Sequence, residues 1–296
     1  MSGKLHSDEV PIDAELVARL VGHRFPEWAH LPITRVESGG TVNAIYRLGA
    51  EMSVRLPLAE WGTEALEREF HWLPRLAPQL PLEIPIPLAR GEPSDGYPFP
   101  WSVHQWIDGK IALPHHLTDA RQSAIEVAGF IRALQAIDPA DAPHNTHRGV
   151  PLATADRSTR AAIDTCDGLV DTSAVSAAWD RALAAPQWDQ PARWTHGDLW
   201  YSNFLIREGR IKAVLDFGGA GIGDPAIDTL PAWSLFDSTT RPVFRSQLAV
   251  DDATWERGKG WAVSMAAQAL PYYLATNPII VGNARRMIEE ILADPT

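Results

Sequence analysis

The sequence predicts an α+β protein of two lobes, a small β-rich N-terminal lobe over residues 1–106 and a larger, mainly helical C-terminal lobe over 107–296. Three observations predict it. Short apolar runs bounded by turn residues dominate the first hundred residues. Apolar stripes at helical spacing take over after residue 109. The length of 296 residues suits about two domains of roughly 150 residues each.

The elements follow in order. Residues 33–36 and 44–48 flank a polar, glycine-bearing turn, Glu37-Ser38-Gly39-Gly40-Thr41-Val42-Asn43, which predicts a hairpin. Residues 52–56 alternate as a half-buried strand does, and Pro57 stops them. A helix is predicted over 63–76, with Leu66, Phe70, Leu73 and Leu76 on one face and Pro78 beyond its end. The proline-rich stretch 81–100 reads as extended and loop-like. A strand over 101–107 closes on Asp108-Gly109, and the boundary between the lobes falls near 105–110. Beyond it, Ala124, Ile125, Ala128, Ile131, Leu134 and Ile137 form one helical stripe over 120–137. Further helices are predicted near 153–165, 173–185, 225–236, 253–275 and 279–293. Short strands at 194–195, 204–206 and 211–215 lie among them, with a Glu208-Gly209 turn.

Composition excludes several classes of protein. With 45% hydrophobic and 21% charged residues the chain has enough apolar material for two cores, which excludes a disordered protein. The formal net charge of −11 divides as −5 over 1–106 and −6 over 107–296, so neither lobe offers the basic face that nucleic acid or an anionic membrane requires. The basic residues are 22 Arg and only four Lys: Lys4, Lys110, Lys212 and Lys259. The single cysteine, Cys166, cannot form an intramolecular disulfide, and no Cys/His grouping has structural-zinc spacing. No run approaches 18 apolar residues, and the first ten residues lack the apolar core of a signal peptide. The expectation is a reduced, soluble, cytoplasmic protein whose oligomeric state the sequence leaves unread.

The chemistry is concentrated in His196-Gly197-Asp198-Leu199-Trp200-Tyr201-Ser202-Asn203 and in Asp216-Phe217-Gly218, with Asp216 18 residues after Asp198. Phosphoryl transfer from a nucleotide needs one carboxylate to orient the acceptor hydroxyl and take its proton. It needs a second carboxylate and an amide oxygen to hold Mg²⁺ on the phosphates. A D-x4-N loop before a hairpin whose second strand delivers D-F-G meets that demand, and hard oxygen ligands suit Mg²⁺. The pattern is specific, with a chance expectation on the order of 10⁻⁴.

On these residues the sequence resembles the aminoglycoside phosphotransferase family of kinase-like small-molecule phosphotransferases. The likeness runs from about residue 33 to the last helices and is sharpest over 194–229, which ends in Gly223-Asp224-Pro225-Ala226-Ile227-Asp228. The resemblance implies a protein-kinase-like fold with ATP or GTP in the cleft between the lobes. It implies that Asp198 is the catalytic base and that Asn203 and Asp216 are the Mg²⁺ ligands. Gln105 and Ile107 would offer backbone groups to the nucleotide base, and Ser38, Gly39, Gly40 and Thr41 would form the loop over the phosphates. Glu69 would be the helix carboxylate that pairs with a strand cation, Glu67 being the weaker candidate. Two departures stand out. The strand lysine that grips the phosphates is missing and Arg55 occupies its position, where a guanidinium can bind phosphate or carboxylate with a fork. The phosphate loop also lacks the G-x-G-x-x-G spacing of protein kinases.

Around this set, His196 is expected to fix the loop by hydrogen bonding, since Asp198 already supplies the proton acceptor. Asp224 and Asp228 are expected to cap or tie down the following helix. Trp200 and Tyr201 suit either an aromatic wall for substrate or packing of the loop. Only four residues separate D-F-G from Gly223-Asp224-Pro225, which leaves no room for a peptide-docking segment and points to a small-molecule hydroxyl acceptor. Asp251, Asp252, Glu256, Glu289 and Glu290 suit an amine-bearing, aminoglycoside-like acceptor or, equally, solvated helix ends. Trp233, Trp255, Trp261, Tyr272 and Tyr273 suit an apolar pocket for a macrolide-like acceptor or core packing. A metabolic kinase of a sugar, choline-like or amino-alcohol substrate and a catalytically silent nucleotide-binding module are the alternatives.

Overall fold

A computed structural model describes residues 10–36, 42–94 and 96–294. The chain divides into two compact units. Among the described residues, the first holds 10–78, 83–109 and 213–218, and the second holds 79–82, 110–212 and 219–294. The D-F-G segment therefore belongs to the first unit, and the H-G-D loop to the second.

The first unit opens with helix α1 (Ala14–Arg24). Asp13 caps it, accepting the Leu16 N–H at 2.8 Å. Leu16, Val17, Leu20 and Val21 are buried. The sequence expectation gave this region one helix; α1 is a second, built on paired apolar residues one turn apart. Strands β1 (Ile33–Arg35), β2 (Asn43–Leu48), β3 (Met52–Pro57), β4 (Pro87–Gly91) and β5 (Trp101–Gln105), with helix α2 (Thr63–Leu76) between β3 and β4, complete the set. The strands form one antiparallel sheet in the order β1-β2-β3-β5-β4. β4 corrects the loop reading of 81–100: it is the edge strand, where the N–H that Pro87 lacks is tolerated, and its register shifts between Pro87 and Ala89.

β3 is not half-buried. Val54 and Leu56 join the α1 side chains, Tyr46, Leu48, Trp101 and Val103 in one core. Ser53 and Arg55 alternate onto the other face. On α2, Leu66, Glu69, Leu73 and Leu76 are buried, so a carboxylate takes a core position beside the expected apolar stripe while Phe70 is only half-buried. Residues 213–218 join this unit through the Val214 N–H, which reaches the Glu83 carbonyl at 2.9 Å.

The second unit contains β6 (Lys110–Ile111), α3 (Ala120–Ala136), α4 (Asp156–Thr165), α5 (Thr172–Ala184), β7 (Arg193–Thr195), β8 (Phe204–Arg207), the start of β9 (Arg210–Val214), β10 (Gly221–Gly223), α6 (Pro231–Ser234), α7 (Arg241–Leu248), α8 (Asp252–Tyr272) and α9 (Pro278–Leu292). The order β6-β8-β9 makes one small sheet, and β7 pairs antiparallel with β10. α8 is buried around nearly its whole circumference and is the central helix, packed by α4, α5 and α9. Two helical expectations change. The stretch 225–236 is a 3-10 turn (Pro225–Thr229) followed by the single turn α6, because Pro225 and Pro231 each restart the chain. α7 was not foreseen; it carries only two apolar side chains into the core, Phe244 and Leu248.

Gly91 faces Trp101 so closely that a Cβ there would lie 1.9 Å from the indole Cε2. Gly91→Ala is expected to overpack this core and lower stability by about 1–3 kcal/mol, measured by denaturant unfolding.

Candidate active site

Five of the predicted site residues, Arg55, Glu69, Gln105, Ile107 and Asp216, lie in the first unit and can be placed. Arg55 and Glu69 meet, with Arg55 Nη1 3.3 Å from Glu69 Oε2. Glu67 points elsewhere and pairs with Arg90 at 2.5 Å in an exposed position. Glu69 is buried, and its other oxygen accepts the Phe217 N–H at 3.1 Å. Burial raises the Glu69 pKa, the Asp216 charge adds to the rise, and Arg55 and the Phe217 N–H oppose it. Arg55 Nε is buried with no hydrogen-bond partner among the described residues. A buried donor of this kind is costly unless something accepts from it, and a phosphate oxygen fits that need. His104, beside the pair, is held neutral by burial and by the Arg55 charge.

Asp216 has φ +63°, the left-handed region that a non-glycine residue adopts only under constraint. Its neighbours supply the constraint: Phe217 is tied to Glu69, and a Cβ on Gly218 would stand 2.7 Å from that of Ala65. Of the two connector residues, Gln105 has already spent its N–H on the Ile86 carbonyl at 2.8 Å. The backbone of Ile107 makes no hydrogen bond among the described residues. Ser38, Gly39, Gly40 and Thr41 fall in 37–41, outside the described residues.

In the second unit, β7 leads into the loop that carries Asp198. Gly197 has φ +80°, and a Cβ there would lie 3.2 Å from the Gly219 carbonyl, so the middle position of H-G-D requires glycine twice over. Asp228 is fully buried and accepts the N–H groups of His196 at 2.8 Å and Gly197 at 2.9 Å. This corrects the expectation that Asp228 secures its own helix: it ties down the loop instead. Asp224 does cap the next turn, accepting the Ala226 N–H at 3.0 Å, and it also holds Arg257 by two bonds of 2.7 and 3.1 Å.

His196 Nδ1 accepts the Asp198 N–H at 3.2 Å, which puts the ring proton on Nε2. Asn203 Nδ2 donates to the Asp198 carbonyl at 2.8 Å and to its Oδ2 at 3.3 Å. The amide oxygen of Asn203 is thereby turned away from Asp198, and it accepts no hydrogen bond among the described residues. Amide and carboxylate oxygens are the hard donors that suit Mg²⁺, so Asn203 and Asp216 each carry a donor of the kind expected of them. No group of three or more His, Cys, Asp or Glu side chains able to hold a metal occurs among the described residues.

Most of the remaining candidates resolve toward packing, with Tyr272 and Glu289 exposed. Trp200 and Tyr201 are buried, as are Trp233, Trp255 and Trp261. Asp251 caps α8, Asp252 pairs with Arg245, Glu256 with Lys259, and Glu290 with Arg241. One residue escaped sequence reasoning altogether. Arg148 Nη1 lies 2.5 Å from Asp198 Oδ1 and donates to the Gly197 carbonyl at 3.3 Å. It stands 50 positions before Asp198 in a loop with no periodic signal.

A β-sheet unit bearing a carboxylate–guanidinium pair and D-F-G, together with a helical unit bearing an H-G-D-x4-N loop, is the kinase-like arrangement of the phosphotransferases. The model of the phosphotransferase enzyme family (APH) matches residues 33–261, and the chain belongs to that family. Solved structures with the same fold include the GDP complex of a mutant aminoglycoside 2'-phosphotransferase-IIIa, with a TM-score of 0.74, 19% identity, and coverage of 95% of this chain and 98% of that one. The GDP and kanamycin complex of APH(2")-IIia matches at 0.70 and 19%, over 95% and 99% of the two chains. Macrolide 2'-phosphotransferase MphH from Brachybacterium faecium matches at 0.61 and 18%, over 97% and 99%. No curated protein matches the chain by sequence. No helix of the described residues is long and apolar enough to cross a membrane.

Burial pushes the Asp228 carboxyl up to about 7, against the two N–H bonds that lower it. An unfolded aspartate titrates near about 3.9, so the folded protein binds the extra proton between those values and its stability falls as pH rises through them. Asp228→Asn, which cannot ionise, is expected to flatten the stability profile between about pH 4 and about 7, read by denaturant unfolding across that range. An unchanged slope would assign the pH dependence to another group.

Proposed function

We propose that this protein transfers the γ-phosphate of ATP or GTP to a hydroxyl of a small molecule. The observation that carries the proposal is the fixing of Asp198: its main chain is held through His196 and Asn203, and its loop through Asp228, so the carboxylate is presented by a rigid backbone. In this reading Asp198 orients the acceptor hydroxyl and takes its proton as the oxygen bonds to phosphorus and the nucleoside diphosphate departs. Arg55, oriented by Glu69, uses its unpartnered Nε–H and its charge on the donor phosphates in place of a lysine. Ile107, with open backbone groups, meets the nucleotide base, and Gln105 contributes beside it. Ser38, Gly39, Gly40 and Thr41 cover the phosphates. Mg²⁺, when bound by Asn203 and Asp216, neutralises charge on the phosphates.

A small acceptor is supported by the short path after D-F-G. Residues 221–223 pair directly with β7, Gly221 opposite Thr195, which leaves no segment to dock a peptide. The relatives named for aminoglycosides and macrolides make both classes, together with plain polyols and amino alcohols, the first acceptors to try.

Asp198→Ala is expected to lower turnover by roughly 10²–10⁴-fold in a nucleotide-coupled assay over such a panel, and full retention of activity would refute the base. Arg55→Ala is expected to raise the KM for nucleotide about tenfold or more, and Arg55→Lys to recover part of that loss, because the charge returns without the fork. Asp198-dependent turnover also separates an enzyme from a silent nucleotide-binding module.

A further inference from the structure

The carboxylate of Asp198 is shared with Arg148, and Arg148 stands on a built support. Segment 143–149 runs alongside β10: the Ile222 N–H reaches the Pro143 carbonyl at 2.8 Å and the Asn145 N–H returns to the Ile222 carbonyl at 3.0 Å. Asn145 Nδ2 donates to Thr195 Oγ1 at 2.8 Å, and the Asp224 N–H reaches the Gly149 carbonyl at 2.7 Å. Gly223 approaches so closely that a Cβ on it would lie 2.2 Å from the Gly149 oxygen. A loop stitched to two strands in this way holds the guanidinium in one place.

Only one corner of that guanidinium is occupied. Nη1 serves both Asp198 Oδ1 and the Gly197 carbonyl, whereas Nε and Nη2 have no partner among the described residues, and the side chain is 42% exposed. The group is planar and rigid, so the open Nε–Nη2 edge lies within about 5 Å of Asp198 Oδ1. Two parallel N–H groups on one edge are the geometry that carboxylate and phosphate oxygens accept in pairs.

A cavity of ≈ 160 Å³ opens at Gly149, and the only carboxylate among its lining residues, Asp224, is consumed by Arg257. Of the acidic side chains at α8 and α9, Asp251 caps its helix and Asp252, Glu256 and Glu290 are ion-paired, while Glu289 is exposed.

Resting on the reading of Asp198 as the base, we infer that the acceptor carries an oxyanion beside the hydroxyl that is phosphorylated, and that Arg148 is the specificity-determining residue that binds it. A polycation is the poorly accepted case, because its ammonium groups would meet the guanidinium.

The test uses acceptors of one skeleton: gluconate, sorbitol 6-phosphate, sorbitol and glucamine, with kanamycin as the polycation, each with MgATP and MgGTP. Gluconate or sorbitol 6-phosphate is expected to exceed sorbitol in kcat/KM by about tenfold or more, with glucamine and kanamycin lowest. Whichever anion leads distinguishes a carboxylate from a phosphate. Arg148→Gln is expected to remove that advantage through KM, and Arg148→Lys to keep it better for the phosphate than for the carboxylate. A wild-type preference for glucamine or kanamycin, or a gluconate-to-sorbitol ratio unmoved in Arg148→Gln, overturns the inference. So does failure to use any of these acceptors while Asp198-dependent nucleotide hydrolysis persists. Absence of that hydrolysis as well overturns the kinase reading itself.

Discussion

The H-G-D loop depends on a carboxylate that comes from outside it. Asp228 is fully buried and takes the N–H groups of His196 and Gly197 on its two oxygens. A buried carboxyl with two donors aimed at it has little freedom to move, and neither do the donors. Gly197 must then turn through a left-handed conformation, and Asp198 follows at a fixed angle with its own N–H returned to His196. The position of Asp198 is fixed by three backbone N–H bonds rather than by side-chain packing.

The first unit solves a related problem with a charge. Glu69 occupies a position on α2 where the helical stripe calls for an apolar residue, and burial there opposes its ionisation. One oxygen meets Arg55 and the other meets the Phe217 N–H. A single carboxylate thereby couples a β3 guanidinium to the backbone just after Asp216. Removing it would strand a buried guanidinium and an unpaired N–H together, which costs more than the pair contributes in isolation.

Much of this was legible from the sequence, for identifiable reasons. α2 and α3 follow from apolar stripes within helices of 14 and 17 residues, and the D-x4-N and D-F-G spacings single out the residues on which the proposed chemistry rests. α1 was missed because its buried residues come as adjacent pairs within 11 residues. β4 was hidden by prolines that only an edge strand tolerates. The binding partner of Asp228 and the role of Arg148 lie beyond any local pattern. Both are contacts across 31 to 50 positions, made by residue types common in turns and on surfaces. Local order is written in periodicity, whereas the groups that aim a side chain are fixed only by the fold.

The membership of the first unit has a consequence for how the protein is made. Its sheet and helices are complete by residue 109, yet residues 213–218 belong to it, and the bond from Phe217 to Glu69 closes a loop of 148 positions. During synthesis, the N-terminal part waits for about a hundred further residues before its buried glutamate finds that partner. Contacts of such sequence separation form late and slow the search for the native state. A chain ending near residue 109 would hold a sheet without the segment that completes it, so the two units, though compact, are not two separable folding modules.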